Sequence, residues 1–434
     1  MATDESKQPK IIIYKDHSVL YKSKGTEEVF YEGKQSDEAK QRYQKITKVL
    51  REGFLDTIYK DVGPNMQISE DQLPQKYRTN FSTLIDSITS EVGRALVVLT
   101  VNQLTIKAIA PEQSIRLHKG NKNAGSFSWS EGISMRSIDS KFVTPFLRKN
   151  GLLNMNKDGS FMTRSLAENY PYTQLYKANL KADKEDWLTT VDAIEDNNID
   201  AVSALKYVLS LLKNHSMQFV ELADKAHLAA NQFANKHDFK DIKNIITSFI
   251  VNSSYKARIF EVAMHSLFQA FQDLHLLEGS LSPMTQMRSA NKKHSNVGDI
   301  EVYDNNALIE SWDAKFGKEY LRDELEELDD KIANRSDIEI VGFVTDKEPT
   351  MDKEITDRLN ELILKDNVDI KILSFTQWVK FELEAKDISD NQLNDIGEKW
   401  LINLTDSLGQ KRREIAPIDE PSAEWLNELI NLLK

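Results

Sequence analysis

The 434 residues contain no cysteine. Disulfides, iron–sulfur clusters, thiol nucleophiles and Cys-based zinc sites are excluded at once. A chain of this length can bury a large core without such staples. Long apolar runs are missing too: ALVVLTV at 95–101 is far shorter than a bilayer requires. The opening MATDESKQPK has no apolar stretch of the secretory kind, so the expectation is a soluble, cytoplasmic protein. No GxxxxGK[ST], GxSxG, HExxH or GxGxxG is present, which argues against ATP-driven translocation and the common hydrolase, metalloprotease and dinucleotide-binding sites. Trp and Phe are scattered as core residues would be, not gathered into a base-stacking platform. His118 with Asn121 and Asn123 suggests an HNH nuclease, but no second His stands at a suitable spacing.

What is present is an ordinary folded composition, 40% hydrophobic and 29% charged. The length argues for about two or three domains. Net charge is −12, which on its face disfavours nucleic acid. The average hides an asymmetry. From Lys107 to Lys181 there are 12 Lys or Arg against 5 Asp or Glu, a local +7 that leaves −19 for the rest. A binding face is set by local charge, although a cationic segment is commonly just a solvated face.

Apolar spacing predicts helices over 37–60 and 79–105, and again over 184–250. Between 111 and 182 the texture turns to Gly, Ser, Asn and basic residues, as in IRLHKGNKNAGSFSWSEGISMRS. Such stretches are loops and short elements, and loops on a rigid scaffold commonly carry recognition. From 255 the pattern is mixed. A helix with Phe260, Met264, Leu267, Phe271 and Leu274 on one face precedes a short strand near 282–288, a hairpin and a charged helix at about 319–334. Then follow a strand at 338–345, a helix from 351, a strand at 368–375 and another helix. The order α-β-β-β-α-β-α-β implies a mixed sheet with helices packed against it, and acidic helices end the chain. The expected division is 1–250, 251–390 and a helical extension 391–434.

The hairpin GDIEVYDNNALIESWDAKFGKEY, from residue 298, carries more charge than packing alone would want. Side chains alternate along a strand, so Asp313 and Lys315 point one way while Trp312, Ala314 and Phe316 point the other. On the first strand Ile300 and Val302 form the core set and leave Asp299 and Glu301 opposite. An odd-numbered loop or a bulge would set Asp299 beside Asp313, whereas a two-residue Asn305–Asn306 turn would bring Trp312 there instead. Two adjacent carboxylates repel unless a positive group neutralises them. Oxygen ligands without His or Cys suit a hard cation, above all Mg²⁺. A Lys beside such a cation can stabilise developing negative charge or orient a water, which is the equipment for phosphodiester hydrolysis. Other Asp/Glu-x-Lys triplets occur, but Asp369-Ile-Lys371 has no paired strand of acids upstream and Glu384-Ala-Lys386 lies in a predicted helix. The plainer reading is an edge hairpin with solvated charges.

With Gly298-Asp299-Ile300 and Asp313-Ala314-Lys315, the segment 255–385 resembles the PD-(D/E)xK nucleases, and among them the type II restriction endonucleases. Gly298 stands where the family's name has Pro. The N-terminal half matches the group in texture only. The resemblance implies an α/β, restriction-endonuclease-like αβββαβ core joined to a mainly helical DNA-binding half. It further implies Mg²⁺ on Asp299 and Asp313, and Lys315 assisting the attacking water. Glu261, on the helix before the hairpin, is either an additional catalytic acid or a solvated glutamate beside Arg258. Expected phosphate contacts are Arg288, Lys292 and Lys293, close upstream of Asp299. Base-reading candidates are Arg116, Lys119, Asn121, Lys122, Asn123 and Arg136, all of types that contact guanine and adenine edges. The expected partners are double-stranded DNA, a second copy of the chain in a homodimer, and a methyltransferase protecting the same site. Two other readings stay open: a repair or structure-specific nuclease, and a DNA-binding protein with an inactive nuclease core.

Overall fold

A computed structural model describes residues 9–434 apart from 23–24, 123–126, 154–158, 163, 197, 285–295, 334, 336 and 410–420. The chain divides into two compact units, 1–218 and 219–434. The boundary falls inside a long helix, ahead of the expected 250, and the C-terminal helices share the core of the second unit instead of forming an extension.

The N-terminal unit opens with a three-stranded antiparallel sheet that the helical expectation did not include: β1 (Lys10–Ile13), β2 (His17–Tyr21) and β3 (Glu27–Tyr31). Its inner face buries Leu20 and Phe30 against Leu117 and Trp129. The stretch expected as one helix over 37–60 is two, α1 (Asp37–Arg51) and α2 (Phe54–Lys60), because Gly53 takes a left-handed φ of 88° between them. Then come α3 (Gln75–Asp86), α4 (Glu91–Ile109), the short α5 (Met135–Ile138) and α6 (Thr144–Lys149), and α7 (Lys184–Glu195). Helix α4 is apolar all round and correspondingly central, with Leu96, Val98, Leu99 and Leu104 fully buried. By length and composition its segment Val92–Ile109 could cross a membrane, and 83% of it is buried inside the fold. Its few polar side chains organise the loop-rich region. Asn102 donates to the Met135 carbonyl, Gln103 donates to that of Ile115, and Gln103 accepts from the Trp187 indole.

Helix α8 (Ala201–Ala234) carries the unit boundary. The C-terminal unit continues through α9 (Phe239–Asn252), α10 (Lys256–Asp273), β4 (Ser280–Leu281), β5 (Ile300–Asp304) and β6 (Ala307–Lys315). After these follow α11 (Arg322–Ile332), β7 (Ile340–Thr345), α12 (Lys353–Asp366), β8 (Asp369–Ser374), α13 (Phe375–Ala385), α14 (Asp390–Leu408) and α15 (Ser422–Leu432). From α10 to β8 this is the expected order. The five strands form one mixed sheet in the order β4-β5-β6-β7-β8, antiparallel up to β6 and parallel beyond it.

Two cores follow from strand alternation. Ile300, Val302, Trp312 and Val344 pack with α10, α13 and α14, where Trp400 of α14 also donates its indole N–H to the Ala263 carbonyl. On the opposite face Leu308, Val341, Phe343, Ile370 and Ile372 pack with α11 and α12, the two crossover helices. Gly342 lets the Trp312 indole approach β7 closely: a Cβ there would stand 2.5 Å from the ring and 2.4 Å from the Lys371 carbonyl oxygen. Gly342→Ala is expected to lower the stability of the C-terminal unit by about 1–3 kcal/mol, as overpacking does. A urea titration followed by Trp fluorescence checks it, and an unchanged midpoint would contradict this account of the packing.

Candidate active site

The position of Asp299 is decided by one extra residue. The hairpin turn is the two-residue Asn305–Asn306, with φ of 46° and 72°, the positive values that such a turn requires. Near the turn Asp304 faces Ala307 and Tyr303 faces Leu308, a register that would bring Trp312 opposite Asp299. A bulge intervenes: Val302 faces Glu310 and Ile300 faces Trp312, leaving Ile309 over. Just before this shifted register begins, the carboxyl of Asp299 interacts with that of Asp313. The turn and the bulge, posed as alternatives from the sequence, are therefore both present.

Backbone contacts on either side of Asp313 fix the place of Asp299. The Asp299 amide donates to the Trp312 carbonyl at 2.9 Å, and its Oδ2 accepts from the Ala314 amide at 3.0 Å. Gly298 allows the close approach, since a Cβ there would lie 2.6 Å from the Trp312 carbonyl oxygen. Proline also has a Cβ, so this backbone path accounts for glycine at the position.

Asp313 is buried, and its Oδ2 lies 2.9 Å from Lys315 Nζ. Burial pulls the Lys315 ammonium down, but the Asp313 and Asp299 carboxylates outweigh it and hold its pKa above the ordinary lysine value. Lys315 also sits 5.7 Å from the centre of the Phe343 ring. The Asp299 pKa is raised well above 3.8 by burial first, then by the charges of Asp313 and Glu261. Glu261, on α10, thus lies close enough to act on Asp299, and its own carboxylate is bound by Arg258.

Such a pair of carboxylates invites a cation. Among the described residues no group of three His, Cys, Asp or Glu is arranged as a full protein cage. Two carboxylates fit a hard ion that keeps several of its waters, as Mg²⁺ does. In this structure the Lys315 ammonium supplies the positive charge beside Asp313.

Sequence reasoning passed over Glu301, which is buried and accepts from the Val297 amide at 2.7 Å and the Tyr303 hydroxyl at 3.1 Å. Its only signal was its place two residues after Asp299, on the same face. The competing triplets differ in setting. Lys371 pairs with its neighbour Asp369 on β8 at 2.9 Å. Lys386 binds Glu382 at 2.6 Å rather than Glu384.

The expected DNA-reading residues lie in the N-terminal unit and divide by exposure. Lys122 and Arg136 are exposed, with Arg136 donating to the Phe161 carbonyl at 2.9 Å. Lys119 is half-buried and donates to Asn169 at 2.8 Å, and Asn121 is half-buried with its amide on Ser128 Oγ. Arg116 faces the interior: fully buried, it donates to Asp192 at 2.5 Å and to the Tyr172 carbonyl at 2.9 Å. Its guanidinium holds the fold and is not presented to a groove. His118 is likewise a core residue, stacked between Phe161 and Tyr172 and pushed down to about 4 by burial and then by Lys119. Asn123, Arg288, Lys292 and Lys293 lie outside the described residues.

No protein-family model matches the chain, and no match is found among curated proteins.

The raised pKa of Asp299 has a consequence for stability. A carboxyl that holds its proton more tightly when folded loses stability as pH rises from 3.8, its unfolded value, through the higher folded value. Asp299→Asn cannot ionise. In EDTA at pH 8 the variant's C-terminal unit should melt higher than the wild type, by about 2–4 °C for each kcal/mol recovered. At pH 3, with both forms neutral, the two should melt alike. Equal melting at both pH values, followed by calorimetry, would count against the strained carboxylate.

Proposed function

We propose that the protein is a Mg²⁺-dependent endonuclease that hydrolyses phosphodiester bonds at a specific sequence in double-stranded DNA, as type II restriction enzymes do. On this reading residues 251–390 hold a restriction-endonuclease-like core. The observation that carries the proposal is the meeting of the Asp299 and Asp313 carboxyls next to the bulged register, with Lys315 on the same face as Asp313 and already bonded to it.

Asp299 and Asp313 would hold the ion, and the Ala314 amide, donating to Asp299 Oδ2, would keep the Asp299 carboxylate in place for it. When bound, Mg²⁺ supplies Lewis acidity at the scissile phosphate and lowers the pKa of a coordinated water. Lys315, released from Asp313, would lie beside the attacking water and offset the charge that grows on the phosphoryl oxygens. Glu261, fixed by Arg258, adds a further carboxylate near Asp299. Water attacks phosphorus in line and the 3′ oxygen leaves.

Recognition falls to the N-terminal unit on this reading, with the exposed Lys122 and Arg136 as its first candidates. A homodimer on a palindromic site and a methyltransferase protecting that site complete the proposal.

The test is incubation of the purified protein with a long phage DNA and Mg²⁺, with EDTA and Asp313→Ala as controls. Discrete bands that vanish in both controls are expected. A smear would mean cleavage without base reading, and intact DNA from every source would overturn the nuclease. Lys315→Met separates the roles further. It should cut about 10²–10³-fold more slowly, as expected when a transition-state charge partner is lost. Its Mg²⁺ affinity should hold or rise, because the competing ammonium is gone.

A further inference from the structure

We infer that Glu301 is a positioning residue for the Asp299 side of the ion site, the inference resting on the Mg²⁺ reading above. Asp299 sits at the end of a short turn, Val297-Gly298-Asp299, that is tethered at each residue. The Val297 amide donates to Glu301 Oε1 at 2.7 Å, and the Val297 carbonyl accepts from Lys331 Nζ of α11 at 3.1 Å. Gly298 lies against the Trp312 carbonyl, and the Asp299 amide donates to that same carbonyl. Of these tethers Glu301 is the one side chain that grips the turn from the strand bearing Asp299.

Glu301 shares a face with Asp299, so its chemistry could be mistaken for that of a third ligand. The contacts say otherwise. One of its oxygens accepts from the Val297 amide and the other from the Tyr303 hydroxyl at 3.1 Å. The side chain is 3% exposed, and its bonds run to the turn and to its own strand. What it controls is the path of the backbone two residues earlier. Asp299 is a short side chain, so its carboxylate follows that backbone closely. Groups that orient ligands in this indirect way typically change metal affinity by about 10–100-fold when removed.

The experiment is calorimetric titration of the full chain with Mg²⁺ alone, for the wild type and for Glu301→Ala, Glu301→Gln and Lys331→Met, each with a thermal melt. Glu301→Ala should weaken Mg²⁺ by about 10–100-fold. Glu301→Gln keeps an acceptor for the Val297 amide and a partner for Tyr303, and should recover most of the affinity. A ligand role would instead make Gln as damaging as Ala, and that result overturns the inference, as does wild-type affinity in a folded Glu301→Ala. Should Glu301→Ala fail to fold, Lys331→Met decides. It removes the other side-chain tether on Val297, so weakened binding supports the inference and unchanged binding overturns it. No Mg²⁺ binding by the wild type would overturn the ion site itself, and this inference with it.

Discussion

Two carboxylates side by side, Asp313 buried and Asp299 half-buried, are the constraint on which this part of the C-terminal unit depends. Their repulsion is costly at short range and in a low dielectric. Each nearby feature of the structure bears on it. The Ala314 amide lends Asp299 a donor, the Lys315 ammonium answers Asp313, and Arg258 answers Glu261. Behind them the Trp312 indole is fully buried and packed edge-on against Trp378 and Phe381, which anchors the other face of the strand in the core. A surface hairpin with solvated charges would need none of this. The arrangement keeps in place a pair of acids of which one, Asp299, holds its proton unusually tightly.

The opposite face of the same strand offers a comparison. Glu310 bonds the Trp312 indole and meets Glu382 and Lys386 of the α13 end. Glu382 is fully buried, and burial followed by the Glu310 charge raises its pKa well above the ordinary value. Lys386 lies over the Phe268 and Phe271 rings at 5.0 and 5.2 Å. Here two acids and a lysine are closed in by aromatic side chains, a structural network with its cation built in. Around Asp299 and Asp313 the lysine binds one acid only, and the other keeps a raised pKa. Similar residue types thus serve different ends, decided by enclosure.

Much of this was legible beforehand. The order of elements from α10 to β8 follows from apolar periodicity and turn residues, which are local signals. So does the sharing of one face by Asp313 and Lys315. The meeting of the Asp299 and Asp313 carboxyls was not readable, because Ile309 looks like any β-branched strand residue and only the partner strand makes it a bulge. The N-terminal sheet was hidden for a related reason: KIII and HSVLY are short, and their partners declare themselves only in three dimensions. Arg116 misled because composition reports residue type and not burial. Its partners Asp192 and Tyr172 are remote in sequence. Alternation placed Glu301 on the face of Asp299, but its burial and its bonds to the Val297 amide and the Tyr303 hydroxyl are not spelled by that spacing.

The hairpin turn and the bulge together make parity, more than identity, the property that matters between β5 and β6. Residues in the turn can be exchanged for others that accept positive φ without moving Asp313. A single insertion or deletion between Asp304 and Glu310 would instead rotate every later side chain of β6 by half a turn about the strand axis. Trp312 would then face the crossover helices, and the acids would face the aromatic core. Related chains, if they keep this site, should therefore vary in the letters of this segment and hold its length constant, or change it by two.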